Sequence, residues 1–194
     1  MAATCSDAGL LLDRFLIETD VSAKRALLLA LGDFSPESIA LVRREVFIAK
    51  LLTQYRTDPD PGIHSAIDWL LRQRFGRAEA VADIHAELAK NASEKSLAKL
   101  DKDWFVNREG QTFAVVRGPV EFTMGSPATV PGRIAEQEPS HRKRISRTFA
   151  IGMGEVTTEE YLRFHPKHSW VERYSPDRNS PVVAVSMYSA AEYC

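Results

Sequence analysis

The chain has 194 residues, 44% of them apolar and 26% charged, with a formal net charge of -1. These are the proportions of an ordinary globular protein with one large or two small domains, and the charge balance excludes a chain-wide electrostatic footprint for nucleic acid. The two cysteines, Cys5 and Cys194 at opposite ends, make no disulfide scaffold and suit a reducing compartment.

Leu10, Leu11 and Leu12 form an apolar run closely bracketed by Asp7, Asp13 and Arg14. That run is too short and too charged for a signal peptide or a membrane span. The expectation is a cytoplasmic protein with no membrane partner.

The first ninety residues predict helices. Leu11, Leu12, Phe15 and Leu16 make one apolar face from Leu10 to Ile17. Ser22 is an expected cap for a helix burying Ala23, Ala26, Leu27, Ala30 and Leu31, with Gly32 as a left-handed stop. Ser35-Pro36-Glu37 combines a cap, a first-turn proline and an early acid, and predicts a helix on Ile39, Val42, Val46, Ala49 and Leu52. Asp60-Pro61 starts a fourth helix carrying Ile63, Ala66, Ile67, Leu70 and Leu71, which Gly76 closes. A fifth runs from Ala78 to Lys90, with Val81, Ala82, His85, Leu88 and Ala89 on one side.

The segment from Asp20 to Leu27 aligns with that from Asp60 to Ile67, forty positions later. That offset is the period of HEAT and armadillo repeats. The region therefore reads as a short HEAT-like array, in which helix pairs bury their faces by stacking, or as an irregular helical bundle.

Residues 93–103 read as a polar linker, and beyond it the apolar period becomes two. Strands at Trp104 and Thr112 flank a hairpin turn at Arg108-Glu109-Gly110-Gln111. Val120, Phe122 and Met124 alternate with Glu121 and Thr123, which predicts a strand with one buried face. A proline-containing loop from Ser126 to Ser140 leads to strand residues Ile145, Phe149 and Ile151. Thr157 with Glu160 is a capping box for a helix to Phe164. A second irregular loop follows, then a short strand from Val182 to Val185. Ser186 caps a last helix that breaks off at Cys194 after barely two turns, as in a truncated domain.

Four groups of residues recur here in a definite order. They are Phe122, Met124 and Gly125; then Arg133, Glu138, Pro139 and His141. Next come Phe149, Ile151, Glu155, Val156, Thr157, Tyr161 and Phe164, and last Pro181, Val182, Val185, Ser186, Ala190, Tyr193 and Cys194. The series resembles the first half of the formylglycine-generating-enzyme, or sulfatase-modifying-factor, family. Met187 and Ser189 depart from it, standing where the family usually has tryptophan and aspartate.

The resemblance implies a C-type-lectin-like fold. Complete family members oxidise a protein cysteine to formylglycine using oxygen and copper, so a cysteine-containing protein or peptide is the implied substrate. The copper is held by two cysteine thiolates, the soft ligands Cu(I) prefers. They belong to the family's C-terminal half, so the copper ligands are not in this chain, and Cys194 matches an earlier family cysteine. Some relatives have lost catalysis and serve as binding folds, and some bacterial relatives carry helical repeats or kinases.

The expected fold class is α+β. A HEAT-like helical region (1–92) and a linker (93–103) precede a partial lectin-like mixed α/β domain with much irregular loop (104–194). The function expected is that of a formylglycine-generating-enzyme-like protein inactive by itself. The alternative is a non-catalytic interaction module whose helical region takes a protein partner.

The residues offer no catalytic, cofactor-binding or metal site. His165 and His168 lie around Pro166 without a nearby cysteine or carboxylate at fixed spacing, and read as a solvated loop. His64 and His85 read as surface or partly packed helix residues. Met124 and Met153 read as core fillers. Of Trp69, Trp104 and Trp170, the loop residue Trp170 keeps a binding reading. His141-Arg142-Lys143-Arg144 with Arg147 is a basic cluster of the kind that draws phosphate or acidic partners. Strand alternation divides its charges between two faces, which makes it a solvated edge strand with no nucleic-acid partner.

Overall fold

Among the described residues five helices fill the first half of the chain, and their apolar faces are covered mainly by one another. The computed structural model describes residues 7–91 and 101–194. The helices are α1 (Ala8–Ile17), α2 (Val21–Leu31), α3 (Leu41–Thr57), α4 (Pro61–Trp69) and α5 (Ala78–Lys90). Five short strands follow: β1 (Trp104–Val106), β2 (Thr112–Val116), β3 (Val120–Met124), β4 (His141–Ile145) and β5 (Phe149–Gly152). Two further helices, α6 (Thr158–Phe164) and α7 (Met187–Tyr193), complete a mixed α/β chain. No described helix is long and apolar enough to cross a membrane.

The chain forms two compact units, Met1–Ile151 and Gly152–Cys194. The strands β1 to β4 thus share a unit with the helices. The polar segment expected as a linker falls mostly on 92–100, outside the described residues.

The core of the first unit is helical. Leu28, Leu51, Ile67, Leu70, Leu71 and Val81 are fully enclosed, and Phe15, Phe47 and Phe75 cross it edge to face at 5.6 and 6.2 Å. Asp20 and Asp60 both cap helices, accepting from the backbone N–H of Ala23 at 2.7 Å and Ile63 at 2.8 Å. The aligned segments therefore begin their helices in the same way, and Asp20 takes the capping role expected of Ser22. Arg25 of the first segment clasps Asp60 of the second through a two-pronged ion pair. Gly32 is right-handed at φ -70° and closes α2 without a left-handed turn.

The buried face of α3 differs from the expected one. Phe47, Ile48, Leu51 and Tyr55 face inward, while Val42 and Val46 are 79% and 68% exposed. Two apolar stripes compete on this helix, and the one with two aromatic rings buries more area. Ser35-Pro36-Glu37 caps only a single 3₁₀ turn (Pro36–Ser38), and α3 starts at Leu41 without a side-chain cap. The last turn of α4 widens into a π-helical segment, Leu70–Arg74, before Gly76 reverses the chain at φ +61°.

Strands β1, β2 and β5 form one sheet in that order, and β3 and β4 form a separate antiparallel ribbon. Trp104 pairs with Ala114 and Phe105 with Phe113 around the expected hairpin. The ribbon contradicts the expected buried face: Phe122 is 43% and Met124 51% exposed, and among the described residues the ribbon is a two-stranded sheet of its own.

In the second unit the Thr157 capping box is complete, with Glu160 and Thr157 each bonding the other's backbone N–H. Val182–Val185 is no strand. A single bridge joins Thr157 to Pro181, and Ala184 turns the chain at φ +59°. Ser186 caps α7 by accepting from Ser189 N at 3.1 Å.

Candidate functional site

His64 lies on the inner face of α4, beside Ile63 and Ile67, and is 2% exposed. Its imidazole is stacked between two rings, Tyr55 from α3 at 4.1 Å and Trp104 from β1 at 3.6 Å. Nδ1–H donates to the Tyr55 carbonyl at 2.9 Å. Burial depresses the His64 pKa to about 4, against smaller opposing effects of that hydrogen bond and of Asp68. The ring is therefore neutral at ordinary pH.

A tuned histidine is a recognised mark of an active site, but a general base must reach the proton it takes. Both faces of His64 are covered and Nδ1 is engaged, so its role is to join β1 to the helices. The surroundings are polar but satisfied. Tyr55 Oη donates to Asp68 at 3.1 Å, and burial followed by the Asp68 charge pushes its phenol upward. Trp104 Nε1 donates to the Asp58 carbonyl at 2.8 Å, and His85 Nε2 meets the Thr112 hydroxyl at 3.0 Å. Lys102 lies over the Trp104 ring at 4.4 Å and donates to the Arg56 carbonyl, with burial lowering its pKa.

His165 and His168, expected in a solvated loop, are not brought to a common ligand. Their ring centres are 6.3 Å apart, His165 is exposed, and His168 Nε2–H donates to the Val183 carbonyl at 3.0 Å. Trp170 is half-buried and donates to the Ser175 carbonyl at 2.5 Å, which makes it a loop brace. Ser175 is itself buried against Thr158 at 2.8 Å. Among the described residues no group of three or more His, Cys, Asp or Glu could hold a metal ion, and Cys194 is a free, exposed thiol.

Exposed chemistry gathers instead on the β3–β4 ribbon. Phe122 pairs with Lys143, Met124 with His141 and Val120 with Ile145, so these six side chains share a face. Glu121, Thr123, Arg142 and Arg144 share the other. Glu121 lies between two guanidinium groups, at 3.4 Å from Arg142 and 3.9 Å from Arg144. The connecting loop is closed by Glu138, held below the usual carboxylate range by the Ser126 hydroxyl and the Ile134 N–H. Gly125, at φ +94°, abuts the Pro139 carbonyl, where a Cβ would collide with the backbone.

Comparison with known proteins adds no relative: no family model, no curated protein and no solved structure matches the chain.

The alternation in β3 signalled the ribbon face, but exposure could not be read from it. The stacked histidine was missed for a different reason. The signal available was its place one position after Ile63 on a helix capped by Asp60, where a polar ring needs a partner to be buried.

Proposed function

We propose that the chain is a formylglycine-generating-enzyme-like protein whose helical array and lectin-like region bind a protein partner, and that this chain does not itself oxidise cysteine. The observation that carries this reading is the exposed, cation-rich ribbon built by the first two groups of the family-like series, Phe122 and Met124 on one strand and His141 at the head of the other.

Two further features support kinship with the family. The third and fourth groups meet within the second unit, through the Thr157–Pro181 bridge and the hydrogen bond from Val182 N to the Val156 carbonyl at 2.9 Å. Tyr161 and Tyr193, from the same two groups, have ring centres 5.6 Å apart. Residues far apart in the series thus contact one another. The like caps at Asp20 and Asp60, joined by Arg25, support a HEAT-like arrangement of the helices.

The family's copper would need two thiolates. Of the cysteines here, Cys194 is exposed and Cys5 lies outside the described residues, so the described side chains offer one thiolate where that metal needs two, and no step is drawn through it. The test is oxygen consumption by the full 194-residue chain with added copper and a cysteine-bearing peptide. No turnover above the peptide-free rate is expected. Sustained turnover would mean that the chain is catalytic.

A further inference from the structure

We propose that the β3–β4 ribbon is a docking surface for an acidic, extended peptide that carries apolar anchor residues. The inference rests on the binding-module reading and names the partner's chemistry.

Charge is the first argument. The ribbon and its exit carry four exposed cations, Arg142, Lys143, Arg144 and Arg147, while Glu121 is the one acid within the two strands. Its single carboxylate is already shared between Arg142 and Arg144, so an uncompensated positive charge remains on that face. On the opposite face Lys143 stands beside Phe122, and no acid lies in either strand on that side. With Arg133, Glu136 and Glu138 of the connecting loop included, 120–147 holds five cations and three acids, so the local charge is positive although the whole chain is close to neutral.

The second argument is the apolar content. Phe122, Met124 and the half-buried Val120 and Ile145 line one face at alternate positions. With its apolar side chains on one face and two arginines on the other, the ribbon is matched by an added strand whose apolar and acidic residues alternate between the same two faces. Among the described residues each ribbon strand also has a β neighbour on one side only, an edge of the kind to which a peptide strand can add. Nucleic acid is the less favoured occupant. It would use the cations but leave Met124 and Val120 without partners, and the ribbon's two rings, Phe122 and His141, lie on different strands and not at successive positions of one platform.

The experiment measures fluorescence anisotropy of the full chain with a short labelled peptide that alternates glutamate with leucine. Comparators are the same peptide with lysine in place of glutamate, and labelled oligothymidylate. Saturable binding to the glutamate peptide is expected, weakening as salt rises. Combined Arg142→Glu, Lys143→Glu and Arg144→Glu should weaken it by about tenfold or more, since three exposed ion pairs are each worth a fraction of that. Phe122→Ser, tested separately, should weaken it while leaving the salt dependence in place. Lys50→Glu on α3 should leave binding unchanged.

Circular dichroism checks that each variant keeps its helices. The inference is overturned by absence of saturable binding, by equal affinity for the lysine peptide, by unchanged affinity in the triple variant, or by tighter binding of oligothymidylate. Any of these results without oxygen uptake removes the ribbon assignment alone. Sustained oxygen uptake removes the binding-module reading whatever the ribbon does.

Discussion

The His64 imidazole and the Trp104 indole are stacked with 3.6 Å between ring centroids and 25° between ring planes. One ring belongs to the fourth helix and the other to the first strand, so this pair fastens the sheet to the helices. Charging the imidazole places an ion in an apolar sandwich with one engaged nitrogen.

That makes stability depend on pH in a stated direction. The unfolded chain takes up the His64 proton near its ordinary value of 6.5, whereas the folded chain holds out to about 4. The stabilising contribution is complete above the first value, falls as pH drops through the window, and levels off below the second. A separation of about 2.5 pH units corresponds to roughly 3 kcal/mol. His85, also shifted downward by burial, tilts the curve the same way. Urea midpoints at fixed ionic strength should fall between neutral pH and about pH 4, and the slope should be shallower in His64→Phe. Parallel curves for the two proteins would remove His64 as the source.

Trp104→Ala removes the stacking partner, the donor to the Asp58 carbonyl and the ring beneath Lys102 at once. A loss of about 3–5 kcal/mol is expected, read as a lower denaturation midpoint. Trp170→Phe, which deletes a loop brace in the other unit, should leave that midpoint within about 1 kcal/mol.

Gly32→Ala should destabilise, against the ordinary trend. The residue is right-handed, and alanine at such a site usually stabilises by about 0.4–1 kcal/mol. Here the new Cβ would run into the far edge of the Trp69 ring. Overpacking of this kind costs about 1–3 kcal/mol. Trp69→Leu in the same chain should recover the loss, and thermal melts of the single and double variants decide it.

Thr157→Ala should cost about 1 kcal/mol by opening the capping box, and Thr157→Ser much less. Because the box lies at the start of α6, amide exchange in Glu159–Phe164 should quicken in the alanine variant. Protection of α1 to α5 should stay as it was.

On α3, Ile48→Ala should cost about 2–5 kcal/mol, while Val46→Lys on the outward side should stay within about 0.5 kcal/mol. Chemical denaturation of the two variants separates the observed face from the one expected from the sequence.

These contrasts show where sequence was informative. Caps and turns are written in adjacent residues, so the Thr157 box, the Asp60-Pro61 start, the hairpin at Gly110 and the limits of α5 could be read directly. Which of two apolar stripes turns inward on α3 depends on Phe15 and Phe75, which are remote in sequence. Burial of His64 needs Trp104, forty positions on. The exposure of Phe122 depends on what does not cover it, a property absent from any local pattern. The Val182–Val185 stretch has strand residues, yet the left-handed turn at Ala184 ends any ladder there.

Lys102 Nζ, the Asp103 N–H and Trp104 Nε1 lace this stretch to the α3–α4 corner by donating to the carbonyls of Arg56, Pro59 and Asp58. The bond from Trp104 spans 46 positions, and closing a loop of that span carries an entropic penalty of about 3 kcal/mol. The hairpin next to it closes over only a few residues. During folding, therefore, the bundle has a target to present before the strand can dock, and in kinetic experiments substitutions in α3 and α4 should slow refolding while those at Trp104 mainly hasten unfolding.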